Sequence, residues 1–437
     1  MCRLTGVVKL QGVHLNGAWD GAQPATKGVA RKLVKPRQMG QGASSWGDAM
    51  IRSVSIFVAL LAIVPAGICA RADEAAGVSV IAAPVRPIPE RHGASRLLNF
   101  DMLVRNNSQE SYRVAKLEMS LYDAGHHLVT RRSLNTDAFS PSIALIGDRI
   151  LTPGKTLDVF NPFSQFPADT PLDRLTYDFC LLREATPGQQ EANRHRLPDD
   201  CDVLVTLAVV PRPYDDKTKL TLPVKGKVFV WEGHDFYAHH LRVPLGSNKV
   251  KAMGITANSN QFASDFIYAD AQGRAFHGDP RALSNWYGYG KPVYAPGAGV
   301  VKEAEGDIPD NQFRDAKATA IAYPKLPDGK DPKDLGNHVL IDHGNGEFSL
   351  MLHMKPGSVT VKVGDHVRGG QQIGSLGFSG DAIFPHLHYV LMEGPETGKS
   401  WGLPAYFDHF RRYTGTAVTD VHHDTVNSGD FVESDAR

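Results

Sequence analysis

Glycine punctuates the segment from 290 to 380 so densely that few architectures can accept it. Pro292-Val293-Tyr294-Ala295 runs through Pro296-Gly297-Ala298-Gly299 into Val300-Val301, which reads as a strand, a tight turn and a second strand. Gly336-Asn337-His338-Val339-Leu340-Ile341-Asp342-His343-Gly344-Asn345-Gly346 has the same form, and Leu350-Met351-Leu352-His353 follows it. Val361-Lys362-Val363-Gly364-Asp365-His366-Val367 and Gln371-Gln372-Ile373-Gly374 continue the pattern. Glycines at this many reversals indicate tight turns with positive φ between short strands. The expectation is an all-β domain from about 228 to 412.

Late in that domain, Phe384-Pro385-His386-Leu387-His388-Tyr389 enters the apolar run Val390-Leu391-Met392. Side chains alternate faces along a strand, so His386 and His388 share a face, roughly 7 Å apart along the chain. One imidazole of such a pair can bind a metal while its neighbour reaches the metal's water. An isolated pair would fit a solvated strand face equally well; the upstream residues give it weight. Gly233 to His240 concentrates three histidines, His234, His239 and His240, beside Phe236 and Tyr237. Further on, Gln261 to Tyr268 ends in an apolar strand holding one acidic residue, Asp265.

The first half reads differently. Leu98, Phe100, Met102 and Val104 alternate with polar partners up to Asn106-Asn107-Ser108. Leu117, Met119 and Leu121 alternate until Asp123-Ala124-Gly125 turns the chain, and Val203 to Val210 is a third strong run. Several short strands with turn residues between them predict a β-sandwich over about 75–225, an accessory domain without a catalytic constellation of its own. His126-His127 fits a solvated hairpin end. Pro187 to Asp200 reads as a polar surface loop, and Pro211-Arg212-Pro213 as the connector. After Arg412 the composition turns polar, and 413–437 is expected as a loose tail, with no role for His422-His423.

Met50 to Ala72 combines Arg52, the apolar core Val54 to Ile63, the break Pro65-Ala66-Gly67 and the small residues of Ala70-Arg71-Ala72. That is the layout of a cleaved secretory signal, with the mature chain starting near Asp73. The apolar run is short of the about 20 residues a membrane span needs. Residues 1–49 are then a leader or precede the true start, and no fold is assigned to them. Of four cysteines, Cys2 and Cys69 fall in the part expected to be lost. The remaining pair, Cys180 and Cys201, is expected to form a disulfide in an exported chain. Lys+Arg and Asp+Glu both total 47, so no basic nucleic-acid footprint and no polybasic membrane anchor is present.

The four motifs taken in order resemble the lysostaphin-type (LytM-like) zinc endopeptidases, whose catalytic domain cuts peptide bonds in peptidoglycan. The resemblance covers roughly 255–395 and rests on the Pro292–Val301 turn, the Gly336–Gly346 hairpin, the Gly364–Gly374 segment and Pro385-His386-Leu387-His388, with His353 in between. It implies zinc held by Asp265 and His388. It also implies that His353 and His386 flank the site as general base and as stabiliser of the tetrahedral intermediate, in either order. The family's first ligand is a histidine four residues before the aspartate, and here that position is Gln261. Gln can offer only an uncharged carbonyl oxygen. The third ligand is therefore open among Gln261, His239 and His240, with His277 more remote.

Two functions follow. One is a periplasmic or secreted zinc metalloendopeptidase acting on peptidoglycan stem peptides, its activity falling on the acid side near pH 6, where histidine titrates. The other is a degenerate, non-enzymatic relative that binds cell wall or activates a separate hydrolase. In either case the sandwich is a possible surface for a protein partner. Val363-Gly364-Asp365-x-Val367 with Gln372-Ile373-Gly374, paired with Ala295-Pro296-Gly297-Ala298-Gly299, also resembles the folded halves of biotinyl and lipoyl carriers. Those carriers need an exposed lysine at a hairpin tip, and none lies between these halves.

Overall fold

A computed structural model describes residues 74–137, 139–184, 200–326, 331 and 334–434. The expected leader 1–49, the signal segment 50–72, the mature start near Asp73 and nearly all of the polar loop 187–200 lie outside the described residues. Seven principal strands make the first half: β1 (Val78–Ala83), β2 (Asp101–Asn106), β3 (Tyr112–Tyr122), β4 (Leu128–Leu134), β5 (Thr156–Phe160), β6 (Arg174–Arg183) and β7 (Val203–Val209). One sheet runs β1-β2-β5 and the facing one β7-β6-β3-β4, all antiparallel.

The alternation of each strand decides what faces inward. Val78, Val80, Met102, Val104, Leu157 and Val159 of one sheet meet Leu117, Met119, Leu121, Leu175, Tyr177 and Val205 of the other in a single core. Each such side chain contributes roughly 1.5–3 kcal/mol on burial. That sum far exceeds the about 3 kcal/mol expected of a disulfide closing a loop of this length. Cys180 and Cys201 are joined, with Cα atoms 5.3 Å apart, so the bridge secures β6 to the start of β7 while the core carries the sandwich.

The second half is organised by one long sheet. Its strands are β8 (Gly226–Glu232), β9 (Ser264–Ile267), β10 (Gly299–Glu305), β11 (Asn337–Asp342), β12 (Phe348–Met354), β13 (Leu387–Met392), β14 (Phe407–Thr414), β15 (Ala417–Asp424) and β16 (Phe431–Ser434). Their order across the sheet is β10-β11-β12-β13-β9-β8-β16-β14-β15. Every residue of β9 and β13 is buried, which explains why Tyr389-Val390-Leu391-Met392 reads as a continuous apolar run and not as an alternating one. Gly336 adopts φ +67, and a Cβ there would stand 2.6 Å from the Gly380 nitrogen and the Ser379 carbonyl carbon. This hairpin therefore requires glycine on both conformational and steric grounds.

The expected tail is a correction. Residues 413–434 extend the sheet through β14, β15 and β16, with β16 paired to β8. Val432 and Val426 are fully buried, and Arg412 is bonded by Asp424 and Asp430 at 3.1 and 2.9 Å. The sequence looks like a tail because β15 is an edge strand solvated on both faces, so neither face needs an apolar row. His422 and His423 lie on that edge, with His423 2.7 Å from Asp408.

The described residues of the sandwich and of the long sheet belong to one compact unit. Among the described residues no helix is long and apolar enough to cross a membrane.

Candidate metal centre and active site

Register assembles the site. Glu232 of β8 pairs with Asp265 of β9, Asp265 pairs with His388 of β13, and His388 pairs with Leu352 of β12. Residues directly opposite on neighbouring strands point to the same face. Four consecutive strands thus set Glu232, Asp265, His388 and Leu352 in one row. His386 lies two residues before His388 and shares its face.

His353 follows Leu352 and would point away in a regular strand. Its φ of +61 breaks the alternation, and its ring faces the site, 4.8 Å from that of His386 and 5.8 Å from that of His388. Left-handed backbone at a non-glycine residue costs roughly 1–3 kcal/mol and is characteristic of functional positions. On the other side, a bulge around Trp231 shifts the β8–β9 register. Such a bulge re-aims side chains, and Trp231 lines a cleft of about 530 Å³ with His240, Asp265, His353, His386 and His388.

Asp265 is the hub. Its Oδ1 lies 3.0 Å from His388 Nδ1 and 3.5 Å from His386 Nε2, and its Oδ2 lies 3.8 Å from His240 Nε2. The ligand atoms of His240, Asp265 and His388 all stand within 4.8 Å of one another, as do those of His353, His386 and His388. The His240 ring packs 4.7 Å from that of His388, and its Nδ1 is buried without a hydrogen-bond partner.

Burial would push the Asp265 carboxyl up, but His386, His240 and His388 together hold it well below the usual carboxylate range. Burial also pulls His240 down to about 3, outweighing the attraction of Asp265. His353 is lowered well below 6.5 by burial and then by His386, and burial lowers His386 against the opposing pull of Asp265. These three imidazoles are neutral at pH 7.

Hydrogen bonds fix the tautomers of the two flanking rings. His353 Nδ1 lies 2.9 Å from the Ser379 carbonyl and His386 Nδ1 lies 2.8 Å from the Phe384 carbonyl. A carbonyl only accepts, so each Nδ1 carries the proton and each Nε2 is left as a free base.

Of the three open candidates, the structure brings His240 to Asp265 and His388. His239 is exposed and bonded to Glu232 at 2.9 Å, with its ring 4.0 Å from that of His240. Gln261 is buried and turned away, its Nε2 donating to the Asn99 carbonyl of the sandwich at 2.8 Å. His234, from the same dense cluster, is also directed elsewhere, bonded to fully buried Glu90 at 2.6 Å. Sequence reasoning passed over Asn260, whose Oδ1 lies 3.3 Å from His388 Nε2. It also passed over Glu232 and Trp231. Neither the row nor the bulge leaves a signal within a single strand.

Residues 286–400 match the model of peptidase family M23. The chain is 34% identical over 103 residues to the peptidoglycan DD-endopeptidase ShyC of Vibrio cholerae, covering 24% of this chain and 18% of that protein. It is 44% identical over 57 residues to ShyA, a peptidoglycan DD-endopeptidase of the same organism, covering 13% of each. The chain thus spans less than a fifth of the length of these curated relatives. The catalytic domain of lysostaphin from Staphylococcus simulans is 18% identical, over 40% of this chain and 86% of that one, with a TM-score of 0.21. The matched segment carries His353, His386 and His388, while Asp265 and His240 precede it. Through that segment and its glycine-turned hairpins, residues 286–400 of the chain match peptidase family M23.

Proposed function

We propose that the chain is an exported zinc metalloendopeptidase that hydrolyses peptide cross-links of peptidoglycan, with zinc held by His240, Asp265 and His388. The observation that carries this reading is two buried imidazoles, His353 and His386, each offering a free Nε2 beside a histidine–aspartate cluster. The donor set fits the metal. Zinc takes N and O ligands at about 2.0–2.2 Å in a tetrahedron, which separates neighbouring ligand atoms by roughly 3.3–3.5 Å. One ligand atom from each of His240, Asp265 and His388 already lies within 4.8 Å of the others, so small side-chain shifts would close the set on the metal. Unprotonated His240 and ionised Asp265 need no proton removed before binding.

Zinc bound there supplies Lewis-acid polarisation of the scissile carbonyl and a water of pKa about 7. The chain's own work is proton handling and exclusion of bulk water. His353 and His386 are held neutral and correctly tautomeric by burial and by the carbonyls of Ser379 and Phe384. Either Nε2 can take the proton of the attacking water; the imidazolium so formed can donate to the developing oxyanion and then pass that same proton to the leaving amine. Phe384, 5.0 Å from the His386 ring, and Trp231, 5.2 Å from Phe384, wall one side of the cleft. Export is supported by the Cys180–Cys201 bridge, because disulfides persist in oxidising compartments.

The test is zinc content of the chain from about Asp73, with His388→Ala beside it, together with turnover of cross-linked muropeptides. Near one zinc per chain, lost in the variant along with turnover, is expected. A folded protein that takes up no added zinc and cleaves nothing would overturn the enzyme in favour of a wall-binding or hydrolase-activating domain.

A further inference from the structure

We infer that the N-terminal sandwich is a working part of the metal centre: the outer face of β5 holds the segment that presents His240, with Phe160 and Asp158 as positioning residues. This rests on the reading of His240 as a ligand.

The segment from 233 to 247 has little structure of its own. Its regular element is a three-residue 3-10 turn, His239–Leu241, with no side-chain cap. So short a turn does not hold its shape alone. Its conformation comes from what it leans on: Val426 and Ser428 hold its start and Asn258 Nδ2 donates to the His240 carbonyl at 2.8 Å, while the sandwich packs on the other side of it.

β5 alternates so that Leu157 and Val159 enter the sandwich core while Thr156, Asp158 and Phe160 face outward. All three outward residues meet the segment. Phe160 packs on the cluster of Ala238, Leu241 and Phe262, which brackets His239 and His240 in sequence. The Phe160 ring lies 5.4 Å from that of Phe236, and the Arg242 guanidinium sits 4.5 Å over Phe160 and 4.7 Å over Phe236. Asp158 Oδ1 accepts from the Gly246 amide at 2.8 Å. A Cβ at Gly246 would meet Thr156 Cγ2 at 2.7 Å and Asp158 Oδ2 at 2.8 Å, so the backbone is seated directly on this face.

The departure at position 261 fits the same arrangement. Where the family resemblance expects a ligand, Gln261 ties the loop before β9 to the Asn99 carbonyl. In the ligand reading, His240 on a segment held by the sandwich supplies the third donor, and position 261 is a second tie to that sandwich.

The test is the zinc dissociation constant of the full mature chain, by chelator competition, with the absorption spectrum of the cobalt(II)-substituted protein as a report on coordination. The proteins are wild type, His240→Ala, Phe160→Ala, Phe160→Leu, Asp158→Ala and, as a control on an exposed sandwich position, Leu204→Ala. Losing a group that orients a ligand typically costs about 10–100-fold in metal affinity. The expectation is a loss in that range for Phe160→Ala, a smaller loss for Asp158→Ala, recovery in Phe160→Leu and no change in Leu204→Ala. The cobalt spectrum of Phe160→Ala should move in the direction of His240→Ala. Wild-type affinity and spectrum in Phe160→Ala and Asp158→Ala, with a large loss in His240→Ala, would overturn the inference and leave the ligand reading standing. Wild-type affinity in His240→Ala would remove the ligand reading and the inference with it. Melting of the zinc-free proteins checks folding, and if Phe160→Ala fails to fold, Asp158→Ala decides.

Discussion

Replacing Gln261 by histidine recreates the residue that the lysostaphin-type pattern expects, and the structure says that it will not recreate the ligand. Gln261 is 3% exposed and its amide points into the sandwich, 2.8 Å from the Asn99 carbonyl. An imidazole there faces the same way. A histidine cannot reproduce the reach of the Gln261 amide, so the substitution strands a buried acceptor at a cost of about 1–3 kcal/mol. For a unit of this size that lowers Tm by on the order of 1–4 °C. Zinc affinity should not rise above wild type. The informative protein is the double variant Gln261→His, His240→Ala. His240→Ala alone should weaken zinc by more than about 100-fold, a loss of about 2.7 kcal/mol, and the second substitution should not restore it. Chelator competition on all four proteins, with thermal melts, makes the measurement. Recovery of zinc in the double variant would show that position 261 reaches the centre and would refute the displaced-ligand argument.

His386→Ala should abolish muropeptide cleavage while zinc stays near one per chain; loss of both together would show that His386 is a ligand. Because burial lowers His353 and His386 from 6.5, the acid limb of kcat/KM should lie below 6.5, and a midpoint at or above 6.5 would contradict the assigned environment. Burial, then Asp158, raises Asp101 from 3.8 to about 7. A carboxyl with a raised folded pKa contributes stability that is complete below pH 3.8 and lost as pH rises through about 7, with an upper bound of about 4 kcal/mol. Asp101→Asn should therefore raise the melting temperature at pH 8 and change it little at pH 4; an equal shift at both would refute the burial argument. Cys180→Ser with Cys201→Ser opens a loop with a sequence separation of 21. It should destabilise the sandwich by about 3 kcal/mol in denaturant melts.

What the sequence made legible follows the reach of its local rules. Alternation over Leu117, Met119 and Leu121 and the glycine reversals around Gly336 and Gly344 are written into single strands and hairpins, and so was the shared face of His386 and His388. Strand β15 broke the rule because a solvated edge has no buried row to write. His240 lies beyond any such rule. Its nearness to Asp265 depends on the β8–β9 register, on the bulge at Trp231 and on contacts with Phe160 about 80 residues earlier. The dense histidine cluster was visible, but one member, His234, is bonded to Glu90 and another, His239, to Glu232. Only long-range packing sorts the three. The same packing bears on whether Gln261 marks decay. A decaying site would leave an orphaned pocket where the ligand had been. Here the position is filled by a buried, hydrogen-bonded amide, and a neutral imidazole stands 3.8 Å from the aspartate on the opposite flank. In the ligand reading, His240 and His388 together with Asp265 still make three donors, so a glutamine at position 261 need not mean a lost centre.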